Sequence, residues 1–183
     1  AEVIKYGVIM DAEFFALLEE NVSEIHARDP EILATIISRC CQLKAGVVEN
    51  DERETTGLRA ILNYGHTFCH AFETVTGYGR FLHGEAVSIG MMCAARLAAS
   101  LDRVDEAMIS RQESLLRACN LPVAVSDLDT ETLLEAMQHD KKVEHGKLRF
   151  VLPTKLGHVE LVNDVPTELV RQALSPPEAS PGS

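Results

Sequence analysis

The stretch GEAVSIGMMCAARLAASL, residues 84–101, decides the fold of this chain. Apart from Glu85 and Arg96, its side chains are small or apolar, and at helical spacing they leave hardly any polar face. A helix that is apolar nearly all round is stable only when other elements enclose it. We therefore predict a buried helix over 84–101, at the centre of a mainly helical fold.

Further helices are predicted on both sides of this segment, because apolar residues recur there at helical spacing. The predicted helices are residues 11–21, 29–54, 65–77, 104–120, 130–140 and 166–174. Asp29 and Pro30 form a typical N-cap and first helical position, and Gly77 is a typical helix-ending residue. Mainly α is therefore the predicted fold class.

Two short segments near the end of the chain have the pattern of β-strands. KLRFVLP (147–153) and GHVELV (157–162) alternate and contain β-branched residues. We predict a small β-hairpin near 147–162, with its turn at Thr154, Lys155 and Leu156. The final nine residues, SPPEASPGS, contain three prolines and are expected to be disordered.

Composition and charge limit the kinds of partner. The chain has 183 residues, which suits one domain, and we place that domain at 1–174, before the tail at 175–183. The net charge of -11 argues against nucleic acid and against an anionic membrane surface as partners. Five cysteines without a CxxC pair are typical of reduced thiols in a cytoplasmic protein. An anionic small substrate would need a local group of basic side chains.

Three histidines are the first candidates for chemistry. His66 and His70, in NYGHTFCHAFE (63–73), are four residues apart and would share one face of a helix. That spacing can present two imidazoles to a metal, but many helices carry such a pair without any ligand. His83, in LHGE, follows a glycine-containing turn and could fold back onto this helix, with Glu85 beside it. Both interpretations, a metal site and ordinary helix residues, stay open at this point.

The basic residues can likewise be interpreted either as site residues or as ordinary surface residues. Glu2 and Lys5, three residues apart, form either an exposed ion pair of little energetic value or part of a site. Lys44 lies within the apolar stretch CCQLKAGVV, and it either extends to solvent or faces a polar cavity. The DKK segment at 140–142 is most simply a solvated helix end. Residue types alone do not decide between these alternatives.

Four segments together resemble the C-terminal part of the 3-dehydroquinate synthases, which belong to the sugar phosphate cyclase superfamily. The segments are AEVIKYG (1–7), KAGVVENDERETTGLRAILNYGHTFCHAFE (44–73), LHGEAVSIGM (82–91) and DKKVEHGKLRFVLPTKLGHV (140–159). They occur in the family's order, and the resemblance spans almost the entire chain except the tail. One departure is Cys69, where the family usually has glycine. The resemblance implies a multi-helix domain of the dehydroquinate-synthase C-terminal type.

The same resemblance implies an enzyme of the shikimate pathway, which leads to chorismate and the aromatic amino acids. The implied reaction converts 3-deoxy-D-arabino-heptulosonate 7-phosphate to 3-dehydroquinate with loss of phosphate, which is carbon–oxygen lyase chemistry. It depends on NAD and on a divalent metal, zinc or cobalt. The family binds NAD on an N-terminal domain, and no GxGxxG-like loop occurs in this sequence. The chain is therefore expected to be the C-terminal part of a larger enzyme, inactive alone and a homodimer when intact.

Roles for individual residues also follow from the resemblance. Glu2, His66 and His83 correspond to the family's metal ligands, whereas His70 corresponds to a site histidine that is not a ligand. The implied substrate-binding and catalytic residues are Lys5 at a ring hydroxyl, Lys44 and Arg59 at the carboxylate, and Asn63, His70 and Lys141 at the phosphate, with Lys142 as the alternative to Lys141. Several cations would thereby surround an anionic substrate in an acidic chain.

Three alternatives stay open beside this interpretation. Another sugar phosphate cyclase, of the 2-deoxy-scyllo-inosose or valiolone type, would keep the metal ligands but act on a substrate without the carboxylate. Lys44 and Arg59 together favour dehydroquinate synthase over such an enzyme. A metal-dependent alcohol dehydrogenase of the glycerol dehydrogenase type has a related helical domain but would not need the segment from DKK to RFVLP. The third alternative is a non-catalytic helical domain kept for dimerisation or assembly.

Overall fold

The computed structural model describes residues 1–51, 57–139 and 148–175, and it confirms a mainly helical fold with a small β-hairpin. The helices are α1 (Glu2–Met10), α2 (Ala12–Glu20), α3 (Val22–Ala27), α4 (Pro30–Asn50), a 3-10 helix (Leu58–Asn63), α5 (His66–Thr76), α6 (His83–Ser100), α7 (Glu106–Ala118), α8 (Thr130–His139) and α9 (Thr167–Leu174). The strands are β1 (Phe150–Lys155) and β2 (His158–Val162), which pair antiparallel.

Helix α6 lies at the centre of the fold, which confirms the prediction from its apolar composition. Most of its side chains are buried, and it packs against α5, α7, α9 and β1. Gly90 permits a close approach to α5, because a Cβ at this position would lie 2.2 Å from the carbonyl oxygen of Gly65. This crossing places the first residue of α5, His66, directly beside α6.

Two aspartates stabilise the starts of α2 and α4, and one of them joins these helices. Asp11 caps α2, since its Oδ1 accepts a hydrogen bond from the Phe14 N–H at 2.9 Å. Its Oδ2 accepts from Arg39 Nε of α4 at 2.6 Å, so the same carboxylate joins α2 to α4. Asp29 caps α4 as predicted, by accepting two backbone N–H groups of the first turn.

One helix is shorter than the sequence predicted. α4 ends at Asn50 rather than at residue 54, because Asp51 leaves the helical conformation with φ -145° and ψ 51°. Asp51 is buried, and its Oδ2 accepts from the Arg59 backbone N–H at 3.2 Å, which joins the end of α4 to the 3-10 helix. Residues 52–54 of that prediction lie outside the described residues.

The hairpin turn also differs from the prediction. β1 continues through Thr154 and Lys155, so the expectation of a turn at Thr154, Lys155 and Leu156 was wrong for the first two residues. Leu156 and Gly157 form the turn, and a φ of +80° at the second position favours glycine. The Gly157 N–H donates to the carbonyl of Val8 at 2.9 Å, which fixes the hairpin against α1.

A buried hydrogen-bond network joins α6, α7 and the segment before α5. The hydroxyl of the fully buried Tyr64 lies 2.9 Å from Gln112 Oε1 and 3.1 Å from the Met91 carbonyl oxygen. Gln112 Nε2 donates to the same carbonyl at 3.1 Å. Burial raises the pKa of Tyr64, so the phenol stays neutral and can donate. The network holds the chain in position one residue before the turn that begins α5.

Some predictions fall on residues that the structure does not describe. They are the DKK segment and the tail beyond Ser175. Ser175 itself is described, and its backbone N–H donates to the Arg171 carbonyl at 3.2 Å. All five cysteines lie in described segments, and their thiols are free, as expected. Among the described helices, we find none with the length and apolar character needed to cross a membrane.

Candidate functional site

The starts of three helices converge on one small volume. Glu2 is the first residue of α1, His66 of α5 and His83 of α6. One ligand atom from each of the three lies within 4.8 Å of the others. His66 Nε2 is 3.6 Å from Glu2 Oε1. Two ligand atoms of a tetrahedral zinc ion lie about 3.3 Å apart, so the His66–Glu2 pair needs only a small contraction to share one ion.

Hydrogen bonds orient both imidazole rings. His66 Nδ1 lies 3.1 Å from the Tyr64 carbonyl oxygen, which can only accept, so Nδ1 donates and Nε2 is the free acceptor. His83 Nδ1 lies 2.8 Å from Glu73 Oε1, and the same reasoning leaves its Nε2 as an acceptor. Metal-binding histidines generally donate their second ring N–H to a carbonyl or carboxylate in this way.

Unpaired and neutral donor atoms indicate that these residues fit a divalent metal. Among the described residues, Glu2 Oε1 is buried and has no hydrogen-bond partner, although the whole side chain is 45% exposed. Burial, with the nearby Lys5 charge, lowers the pKa of His66 to about 4, so its imidazole is neutral at neutral pH. A carboxylate oxygen beside two imidazole rings is the donor set that zinc and cobalt prefer.

Lys5 is buried, so it is not part of an exposed ion pair. Its Nζ donates to Glu2 Oε2 at 2.7 Å, which leaves Oε1 as the carboxylate oxygen that faces His66. Burial lowers the pKa of Lys5, and the Glu2 carboxylate opposes this shift. Burial alone would raise the pKa of Glu2, but the hydrogen bond from Lys5 and the electrostatic effects of Lys5 and the two histidines together outweigh it, so the pKa is lowered and the carboxylate is ionised. Lys5 thus places a donor next to the three candidate ligands.

The other predicted site residues that the structure describes belong to α4, α5 and the 3-10 helix. His70 is one turn beyond His66, with ring centroids 5.9 Å apart, and it is not one of the three convergent groups. Lys44 is exposed on α4, and its charge acts on Lys5. Arg59 and Asn63 belong to the 3-10 helix, which packs against α1 and α4.

Two predicted site residues cannot be placed, and a carboxylate beside His83 has a structural role. Lys141 and Lys142 lie outside the described residues. Glu85 caps α6: its Oε2 accepts a hydrogen bond from the Leu82 N–H at 2.8 Å.

Glu73 and Cys69 were not predicted as site residues. Cys69, Glu73 and His83 form a second set of possible ligands within 4.8 Å of one another, and Cys69 Sγ is 3.9 Å from His83 Nδ1. Burial, helped by the Glu73 carboxylate, raises the pKa of Cys69 to about 12, so the thiol is protonated. Glu73 follows His66 by seven residues, two helical turns, and this spacing was the available signal.

Solved structures similar to this fold include sugar phosphate cyclases. The 2-epi-5-epi-valiolone synthase of Streptomyces hygroscopicus, with NAD+ and Zn2+ bound, is similar at a TM-score of 0.84 and 29% identity, over 94% of this chain and 48% of that chain. A 2-deoxy-scyllo-inosose synthase complexed with carbaglucose-6-phosphate, NAD+ and Co2+ is similar at a TM-score of 0.78 and 26% identity, over 94% and 49% of the two chains.

Curated relatives are closer in sequence. The 3-dehydroquinate synthase of Rhodopirellula baltica is 56% identical over 174 residues, which are 95% of this chain and 46% of the relative. That of Gloeobacter violaceus is 53% identical over 175 residues, 95% and 48% of the two. The chain thus spans about half the length of the curated relatives it matches. The family model for the 3-dehydroquinate synthase C-terminal region matches residues 1–143, and the chain therefore belongs to that family.

Proposed function

We propose that residues 1–174 are the metal- and substrate-binding domain of a 3-dehydroquinate synthase. The intact enzyme would convert 3-deoxy-D-arabino-heptulosonate 7-phosphate to 3-dehydroquinate and phosphate, a lyase step of the shikimate pathway. The observation that carries the proposal is the convergence of Glu2, His66 and His83, with one carboxylate oxygen buried and unpaired among the described residues. Identity of 56% to a relative with this activity supports the choice of reaction.

Glu2, His66 and His83 would hold the divalent metal, zinc or cobalt, as the ions bound to the two solved relatives suggest. When bound, the ion supplies a Lewis acid that polarises substrate hydroxyl groups. We assign to Lys5 a hydrogen bond to a ring hydroxyl, made while its Nζ also donates to Glu2 Oε2. Because Lys5 is buried, its charge is less screened there than on the surface.

The substrate's anionic groups would be bound by the surrounding basic and polar side chains. Arg59 can hold a carboxylate with two parallel hydrogen bonds, and Lys44 adds a second charge. Their elements, the 3-10 helix and α4, both pack against α1, which carries Lys5. The proposed phosphate-binding residues are Asn63, His70 and Lys141, or Lys142 in place of Lys141. An acidic chain with a net charge of -11 needs such a local concentration of cations for an anionic substrate.

A second candidate is a sugar phosphate cyclase that acts on a substrate without the carboxylate. The solved neighbours named above favour it by fold, at identities of 29% and 26%. The much higher identity to dehydroquinate synthases and the presence of both Lys44 and Arg59 favour the first proposal. The glycerol dehydrogenase alternative and the non-catalytic alternative have no comparable observation in their support.

The proposal includes a partner domain and a cellular setting. Hydride transfer needs NAD, which a nucleotide-binding domain of the same enzyme would supply, and the solved relatives are roughly twice as long as this chain. The site would lie in the cleft between the two domains. We further propose that the intact enzyme is a cytoplasmic homodimer.

Phosphate release is the assay that tests this function. The intact gene product should release phosphate from 3-deoxy-D-arabino-heptulosonate 7-phosphate with NAD and zinc or cobalt, and not from glucose 6-phosphate. The chain described above should release none from either substrate and should give no calorimetric signal with NAD. Release from glucose 6-phosphate alone would establish the second candidate. An NAD isotherm with this chain would contradict the assignment of the nucleotide site to another domain.

A further inference from the structure

We infer that Glu73 is a positioning residue, which fixes the ring of His83 so that Nε2 points at the metal. This inference rests on the proposed metal centre. Glu73 is not one of the three proposed ligands, and the proposed role does not require it to contact the substrate. The carrying observation is the hydrogen bond from His83 Nδ1 to Glu73 Oε1, 2.8 Å long.

Glu73 is the less exposed of the two side chains, so it can hold the more exposed His83 ring in place. The Glu73 side chain is 13% exposed, whereas that of His83 is 53% exposed. His83 is also the first residue of α6, where the helix itself restrains a side chain least. An exposed ring at a helix end would rotate between several orientations and lose entropy on binding a metal. A largely buried carboxylate that accepts from Nδ1 removes that freedom beforehand.

The helix that carries Glu73 also carries another proposed ligand. His66 and Glu73 are seven residues apart on α5, so they lie on one face, two turns from each other. His66 reaches the centre directly, and Glu73 reaches it through His83, which belongs to α6. The hydrogen bond therefore couples the two helices whose relative position determines the spacing of the ligands.

A competing arrangement uses the same residues differently. Cys69, Glu73 and His83 could themselves hold a metal, since their ligand atoms lie within 4.8 Å of one another. In that arrangement His83 Nδ1 would bind the ion, Glu73 would no longer accept from it, and Cys69 would be a thiolate ligand. The two arrangements predict opposite effects for Cys69, which makes them separable by experiment.

Cobalt titration of the chain provides the test, because bound Co2+ reports its ligands by its visible absorption. Glu73→Ala should raise the Kd for Co2+ by about 10–100-fold and change the visible bands, whereas Glu73→Gln, which keeps an acceptor for Nδ1, should lose less. Cys69→Ala should bind as the parent does. Glu85→Ala is the matched control, since it removes a carboxylate at the start of the same helix whose hydrogen bond goes to the Leu82 N–H.

A second readout does not require any metal. Proton–nitrogen NMR correlation spectra of isotope-labelled histidine distinguish the two neutral tautomers of each ring. His83 in the metal-free parent should carry its proton on Nδ1, and Glu73→Ala should abolish that preference while Glu85→Ala keeps it. This measurement tests Glu73 even if the affinity for Co2+ is weak.

The outcomes separate failure of this inference from failure of the proposed function. Equal Co2+ affinity and spectra in the parent and Glu73→Ala would overturn only the role of Glu73. The same holds if Glu85→Ala weakens binding as much as Glu73→Ala does, because the effect would then come from the helix start. A sulfur-to-cobalt charge-transfer band that disappears in Cys69→Ala would establish the competing arrangement. A parent chain that binds no Co2+ would overturn the metal centre itself.

Discussion

Replacing Gly90 by alanine tests the helix crossing on which the site depends. The new Cβ would lie 2.2 Å from the carbonyl oxygen of Gly65, while real Cβ contacts are essentially never shorter than 3.0 Å. Because the obstructing atom belongs to the backbone, α5 and α6 must separate by about 0.8 Å or more, and overpacking of this kind costs about 3 kcal/mol. Alanine's better helix propensity offsets about 1 kcal/mol of this.

The net expectation is a loss of about 2 kcal/mol in the free energy of unfolding, which lowers Tm by roughly 4–8 °C in a chain of this size. Gly46→Ala is the matched control, because Gly46 is also inside a helix but a Cβ there meets nothing within 4 Å. That variant should gain about 0.5–1 kcal/mol. Urea unfolding followed by circular dichroism measures both changes. The reasoning is refuted if Gly90→Ala is as stable as the parent.

Three further predictions concern the core, the substrate and the thiols. Tyr64→Phe should lower the free energy of unfolding by about 1–3 kcal/mol, because Gln112 Oε1 loses the donor that reaches it at 2.9 Å; chemical denaturation checks this. Arg59→Lys in the intact enzyme should lower kcat/KM by an amount equivalent to about 2–4 kcal/mol, because it keeps the charge and loses the paired hydrogen bonds. Iodoacetamide should modify the exposed Cys41 first and Cys69 and Cys93 last, since both are fully buried and burial raises the pKa of each thiol; mass spectrometry of the time course gives the order.

Much of the fold could be predicted because its signals are local. α6 is apolar all round, and Gly77 has the left-handed φ of 72° expected of a helix-ending residue. The segment AEVIKYG was not predicted as a helix, since it is short and its pattern becomes clear only when Val8 and Ile9 are seen to be buried. The hairpin turn was misplaced because Gly157 docks on α1, a contact far away in the sequence.

The site was less predictable because its geometry is made by long-range contacts. The helical spacing of His66 and His70 suggested a ligand pair, yet His66 converges instead with Glu2 and His83 from two other helices. No periodicity relates these positions, and only the family resemblance brought them together beforehand. Glu73 was overlooked since a glutamate late in an amphipathic helix has an exposed position as its default.

Calorimetric titration of the intact gene product with zinc tests the central claim most directly. We predict binding of one ion per chain, loss of that binding in His66→Ala and in His83→Ala, and retention in His70→Ala. His70 is the matched control because it lies on the same helix, with its ring centroid 5.9 Å from that of His66, and is not among the convergent groups. Equal loss of zinc in all three variants, or zinc binding that survives both His66→Ala and His83→Ala, would contradict the account.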